Sequence, residues 1–177
     1  MEEVIPGVYV IPWYAVHVGG IFNGHYMKDG GVLVDPPRMD NYDIMEIGRK
    51  NPPKNIIITN KDHTREAGHF RDYFGAKVWI SEIAKPHASI KIDKTFRHGD
   101  KLPGGLIAIS IPEHKPGETA LFHEKSSSII LGDALVRPKE GGLGMLKPET
   151  YKDQKKAKDS LKVLMGYKFT NVLVAHG

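Results

Sequence analysis

Four apolar runs in this chain end in side chains that can bind a metal ion or move a proton. Ile56-Ile57-Ile58 leads to Asn60, Asp62, His63, Thr64, Arg65 and Glu66, and residues 107–111 lead, after Pro112, to Glu113 and His114. Ile129-Ile130-Leu131 leads to Gly132-Asp133, and Val172-Leu173-Val174 leads to Ala175-His176. Imidazole nitrogen and carboxylate oxygen are the ligands of zinc, iron and manganese sites. In an α/β layer the carboxyl ends of strands form the usual binding crevice. Four strand ends supplying Asp62 or His63, His114, Asp133 and His176 therefore point to a metal centre. Each residue also has an ordinary role open to it. Asp62 and His63 could cap a helix, His114 could sit in an exposed turn before Lys115-Pro116-Gly117, and Asp133 could be a turn carboxylate. His176 stands next to last in the sequence, where chains often fray. The remaining histidines, at 17, 25, 69, 87, 98 and 123, read as surface or core residues.

The elements that would position these groups follow from patterning. Strands are expected over residues 7–12, 23–27 and 31–35, the last two joined at Lys28-Asp29-Gly30 with glycine supplying a positive φ. Ile44, Met45 and Ile47 give residues 40–50 a helical period, which Asn51-Pro52-Pro53 stops. A buried strand over 55–59 precedes a helix over 66–74 with Thr64 as its N-cap. Further strands are expected over 77–80, 107–111, 120–123, 128–131 and 171–175, with a helix over 153–165. Strands first, then alternating β and α units, describe a layered α/β protein.

The 177 residues suit one domain spanning 1–177, large enough for its own core. The absence of cysteine excludes disulfides, a thiolate nucleophile and any cysteine-based zinc or iron–sulfur site. No apolar stretch has the ~18 residues of a membrane helix. The N-terminus is acidic where a signal peptide would be basic, so a cytoplasmic protein is the expectation. Net charge is +4. The local concentration of Lys152, Lys155, Lys156, Lys158 and Lys162 interleaves with Leu161, Val163 and Leu164, the pattern of the wet side of an amphipathic helix. Aromatics are not interleaved with the basic residues as a nucleic-acid stacking platform requires, so nucleic acid is not the expected partner.

The order of motifs resembles the metallo-β-lactamase fold superfamily over nearly the whole chain. "GVLVDPP", ending a hairpin at Asp35, "EHKPGETALF", "IILGDALV" and "VLVAHG" look like four of its elements in order. The resemblance implies an αββα sandwich of two mixed β-sheets flanked by helices. It places His114 and His176 on metal-ligand positions and Asp133 on the metal-bridging position. The family's main metal motif, His-x-His-x-Asp-His, is the one that departs. Here it reads Asn60-Lys61-Asp62-His63-Thr64-Arg65, with none of the four usual residues. Asp62 has the chemistry of a carboxylate used at that position in a di-iron branch, and His63 is a histidine at a position the family does not use. Superfamily members often continue with another helix beyond the last ligand, whereas one residue follows His176 here, which predicts a loosely held ligand.

Losing the loop ligands removes at least one ion of a two-metal site. A guanidinium at Arg65 would stand where the second ion normally sits, free to pair with Asp133 or to grip an anionic substrate. Two unit charges ~4 Å apart repel by roughly 4 kcal/mol at an effective dielectric of 20, which disfavours a second cation. The expectation is a single divalent ion, zinc first and iron or manganese as alternatives, held by His114, Asp133, His176 and either Asp62 or His63. With Asp62 as base and Arg65 as cation, the activity expected is hydrolysis of an ester, thioester, lactone or phosphoester carrying negative charge. The alternative is a metal-free, non-catalytic relative that binds a small anionic ligand or a partner. Residues 137–148, with Gly141, Gly142 and Gly144, form either a lid that brings Arg137 and Lys139 over the crevice or a plain connection. A homo-oligomer is compatible with everything above.

Overall fold

The computed structural model describes residues 1–16, 19–138 and 140–177. Seven strands form one sheet in sequence order: Glu2–Ile5 (β1), Val8–Ala15 (β2), Gly20–Met27 (β3), Val32–Val34 (β4), Asn55–Ile58 (β5), Lys77–Ser81 (β6) and Lys94–Phe96 (β7). The first four are antiparallel and the rest run parallel to β4. Lys101–Leu102 (β8), Leu106–Ser110 (β9), Thr119–His123 (β10), Ser128–Leu131 (β11) and Asn171–Val174 (β12) make the second sheet, ordered β12-β11-β10-β9-β8. Only the β11–β12 pair is parallel in it. The helices are Asn41–Lys50 (α1), Ala67–Phe74 (α2) and Gln154–Ser160 (α3). No helix among the described residues is long and apolar enough to cross a membrane. The architecture is the expected pair of mixed sheets with few helices.

Three apolar clusters hold it together. Between the sheets, Val34, Ile57 and Val32 meet Ala108, Leu121 and Ile130. Beneath α1 and α2, Ile56 and Ile58 pack with Ile47 and Phe70. The run Ile56-Ile57-Ile58 is therefore buried on both sides of its sheet, as parallel strands covered on two faces are. Each such side chain contributes about 1.5–3 kcal/mol relative to exposure. Beyond the second sheet, Ile109, Ile129 and Leu131 pack on Leu164 from the C-terminal helical segment.

Several local expectations need correction. The helix over 153–165 is α-helical only to Ser160 and then tightens into a 3₁₀ segment, Leu161–Gly166. Its lysines are exposed and Ala157 and Leu164 are buried, as the amphipathic reading requires. Thr64 does not cap α2. Arg65 breaks the run at φ 33°, the helix starts after Glu66, and Thr64 Oγ1 turns to Ser89 Oγ at 3.2 Å. In the β3–β4 turn the positive φ falls on Gly31, while Gly30 is needed because a Cβ there would lie 2.3 Å from Gly104 Cα. The edge strands β1, β7 and β8 have no apolar alternation long enough to announce them.

One core residue gives the fold a sensitivity to acid. His25 lies in β3 opposite Val34, is 1 % exposed, and neither ring nitrogen has a hydrogen-bond partner among the described residues. Burial pushes its pKa down from 6.5 to about 4. Between those values the unfolded chain binds more protons than the folded one, so stability rises with pH there. It is full above pH 6.5 and falls as pH drops toward 4, by about 3 kcal/mol. Urea unfolding of wild type and His25→Leu at pH 7 and pH 4 should show a smaller acid loss in the variant. Identical losses in both chains would rule His25 out as the source.

Candidate metal centre

Strand β4 runs into Asp35, which is buried at 1 % exposure with φ 45°. Its Oδ1 accepts from the backbone N–H of Thr59 at 2.8 Å, and its Oδ2 accepts from Thr59 Oγ1 at 2.5 Å. The same Oδ2 lies 2.8 Å from His63 Nδ1. A carboxylate only accepts, so Nδ1 carries the proton and Nε2 is turned outward. His63 reaches this place because Lys61–His63 form a 3₁₀ turn, capped by Asn60 Oδ1 accepting from Asp62 N–H at 2.9 Å. With three residues per turn, neighbouring side chains diverge by about 120°. His63 goes inward, and Asp62 goes outward to Lys61 Nζ at 2.6 Å and Lys115 Nζ at 2.7 Å.

His63 Nε2 faces His176 Nε2 at 3.1 Å and Asp133 Oδ1 at 3.4 Å, and the last two are 3.0 Å apart. These three donor atoms lie within 4.8 Å of one another. Burial disfavours a charged His63, but Asp35 and Asp133 outweigh it and raise its pKa to about 9. Burial likewise works against ionised Asp133, yet His176, His63 and Lys115 hold it well below the usual carboxylate range.

Asp133 is also gripped from its other side. Its Oδ2 lies 2.7 Å from Lys115 Nζ and accepts from Asn60 Nδ2 at 3.1 Å. Asn60 donates to Glu118 Oε2 at 2.9 Å, and Glu118 Oε1 accepts the N–H groups of Asp133 and Ala134 at 2.8 and 3.1 Å. Glu118 thus ties the loop after β5 to the turn after β11. Burial first, and Asp133 second, push its pKa up. Gly132 is required there, since a Cβ would sit 2.6 Å from Thr59 Oγ1 and 2.7 Å from Glu118 Oε1.

The other sequence candidates fall elsewhere. His114 does not join the group. Its Nε2 is 3.1 Å from the carbonyl oxygen of Ala157 and its ring stands edge-on to Tyr151, so it tethers α3. The expected convergence of His114, Asp133 and His176 is instead one of His63, Asp133 and His176. Arg65 Nη1 donates to the carbonyls of Asn23 and Asp35 at 2.9 and 3.1 Å, and its guanidinium lies 4.9 Å over the Phe22 ring. Its Nη2 is buried without a partner among the described residues, closed to solvent and so no open grip for a substrate.

His176 is not frayed. It bridges Phe22 of β3, with Asn23 N–H donating to Ala175 O at 2.9 Å and Gly177 N–H to Ile21 O at 3.2 Å. Arg137 N–H donates to His176 O at 2.9 Å, and the Phe22 ring meets the imidazole edge-on. The histidine opens onto a cleft of about 760 Å³ walled by Tyr14, Ile21, Phe22 and Arg137. Of residues 137–148, Gly144 pairs with Val136 and Arg137 lines the cleft. Lys139 lies outside the described residues, as does His17.

The donor set fits a metal ion. Two imidazole nitrogens and a carboxylate oxygen are the three protein ligands of many catalytic zinc sites, which keep a fourth position open. A carboxylate behind Nδ1 is the usual support that fixes the tautomer of a metal-binding histidine, and Asp35 supplies it. Lys115 and Glu118 were not apparent as site residues in the sequence. They flank Pro116-Gly117, which reads as a plain turn, and the structure pins that segment to the residue after β5 through the Thr119 N–H to Thr59 O bond.

No curated protein matches the chain. Among solved structures, TTHA1623 in a di-iron-bound form superposes with TM-score 0.71 at 19% identity, covering 95% of this chain and 92% of that one. A metallo-β-lactamase from Pontibacter korlensis gives TM-score 0.79 at 16% identity, covering 99% and 90%. The DIM-1 metallo-β-lactamase gives 0.81 at 16% identity, covering 99% and 88%. At these identities the likeness is one of fold. The sequence itself matches the model of the metallo-β-lactamase superfamily over residues 7–177, and with both sheets and the strand-end site in place the chain belongs to that superfamily.

Proposed function

We propose that the protein is a metal-dependent hydrolase with a single-metal centre at His63, Asp133 and His176, acting on an ester, thioester, lactone or phosphoester that carries negative charge. The observation that carries this reading is the convergence of those three donor atoms, of which His176 also lines a cleft. A divalent ion held there would lower the pKa of a bound water to about 7 and polarise the oxygen of a substrate. Zinc suits the donor set best, with iron and manganese as alternatives. Asp35 orients His63, Lys115 neutralises the outer oxygen of Asp133, and the Phe22 and Tyr14 side chains line the cleft. Arg137, at its edge, is the cation placed to receive an anionic group of the substrate. Asp62 is a weak base in this reading. Burial tends to raise its pKa, but Lys115 and Lys61 hold it below its ordinary value.

A second reading rests on the charge balance of the site. An imidazolium at His63 between Asp35 and Asp133, with Lys115 on the far side, satisfies the buried carboxylates without any ion. A metal-free relative that binds a small anion would look the same. Elemental analysis of protein purified without added metal separates the two. The hydrolase reading expects about one equivalent of zinc, iron or manganese per chain, and turnover of aryl ester or phosphoester probes that a chelator abolishes. Protein that holds no metal, and takes up none when these ions are added, would overturn it.

A further inference from the structure

We infer that the ammonium of Lys115 stands where a two-metal centre would hold its other ion, and that this residue keeps the site at one metal. The count rests on the single-metal reading above; the position rests on geometry. Asp133 divides its carboxylate between two sides. Oδ1 faces His63 and His176, and Oδ2 lies 2.7 Å from Lys115 Nζ. The same ammonium lies 2.7 Å from Asp62 Oδ2, so it is set between two carboxylates as a bound cation would be.

The surroundings fix it there. Glu118 N–H closes a turn onto Lys115 O at 2.9 Å. Gly117, at φ 75°, presses that turn so closely on Ala84 that a Cβ would meet its Cβ at 2.6 Å. Asn60 adds a second donor to Asp133 Oδ2. An ammonium has three donors and no acceptor, and an asparagine amide nitrogen has no lone pair to offer a metal. The outer oxygen of Asp133 is therefore filled by N–H donors, and a cation brought beside Lys115 would meet its charge at short range. Lys115 supplies a single positive charge where a second divalent ion would bring two, without its Lewis acidity, and leaves Asp133 Oδ1 directed at the two imidazoles.

The test compares wild type with Lys115→Met, Lys115→Gln and Lys115→Arg. Each is titrated with zinc alone by calorimetry, and the zinc retained after desalting is counted by mass spectrometry. The Met and Gln variants are expected to bind one equivalent more than wild type, and the Arg variant the same number as wild type. Equal counts in all four chains overturn the inference. If the Met and Gln variants do not fold without metal, they are refolded with zinc and the zinc retained after desalting is counted: one equivalent more than wild type supports the inference, and the wild-type number overturns it. A wild-type chain that binds no zinc speaks against the hydrolase reading, while the difference between chains still decides the role of Lys115.

Discussion

Replacing His63 with alanine is expected to weaken zinc binding by at least about a hundredfold and to remove metal-dependent turnover. Loss of a residue that merely supports a ligand typically costs 10–100-fold in affinity, so loss of a ligand should cost more. His63 Nε2 is one of three donor atoms within 4.8 Å, and removing it leaves only His176 and Asp133. His114→Ala is the informative partner. Its ring is 3.1 Å from the Ala157 carbonyl oxygen and outside the donor group, so zinc affinity should stay near that of wild type. Chelator competition on the two variants gives a direct reading. The reverse pattern, with His114→Ala losing zinc and His63→Ala keeping it, would return the site to the family's usual ligand positions and refute the assignment here.

Asp35→Asn should cost about 3–5 kcal/mol of folding stability, the range for breaking a buried ion pair by removing one partner. Asp35 and His63 are both at most 2 % exposed, and their contact is 2.8 Å. Asp35 also accepts two hydrogen bonds from Thr59, so the substitution disturbs the strand end as well as the imidazole. Urea denaturation of Asp35→Asn, His63→Gln and the double variant makes a cycle that separates these parts. If the ion pair dominates, the double variant should be much more stable than the two single losses predict. Additive losses would mean that the Thr59 bonds carry the effect and that His63 is neutral or differently placed.

The sequence determined the fold and most of its elements, because two-sided burial writes itself as apolar runs. Ile56-Ile57-Ile58 and Ile129-Ile130-Leu131 are fully buried strands because no face of them meets water. The places of Asp133 and His176 were legible from apolar runs as well: each comes two residues after its strand, although β12 is only half-buried where β11 is fully buried. The loop after β5 was not legible in this way. Which of Asp62 and His63 turns inward depends on a single 3₁₀ turn and on a carboxylate 28 residues away, at Asp35. Asp35 could be quoted from its motif, but its role needed the β4–β5 pairing that brings it to Thr59. His114 looked like a ligand by order alone, and the packing of α3 through Ala157 takes it out of the group. Lys115 lay unremarked beside it, since a lysine in a Lys-Pro-Gly turn has the pattern of a solvated loop. Only the approach of the two sheet ends, which puts its ammonium between Asp62 and Asp133, gives it a role. Local patterning records burial along one strand, whereas the charge balance of this site is set by residues from five separate segments meeting at one point. That meeting is a property of the tertiary structure alone.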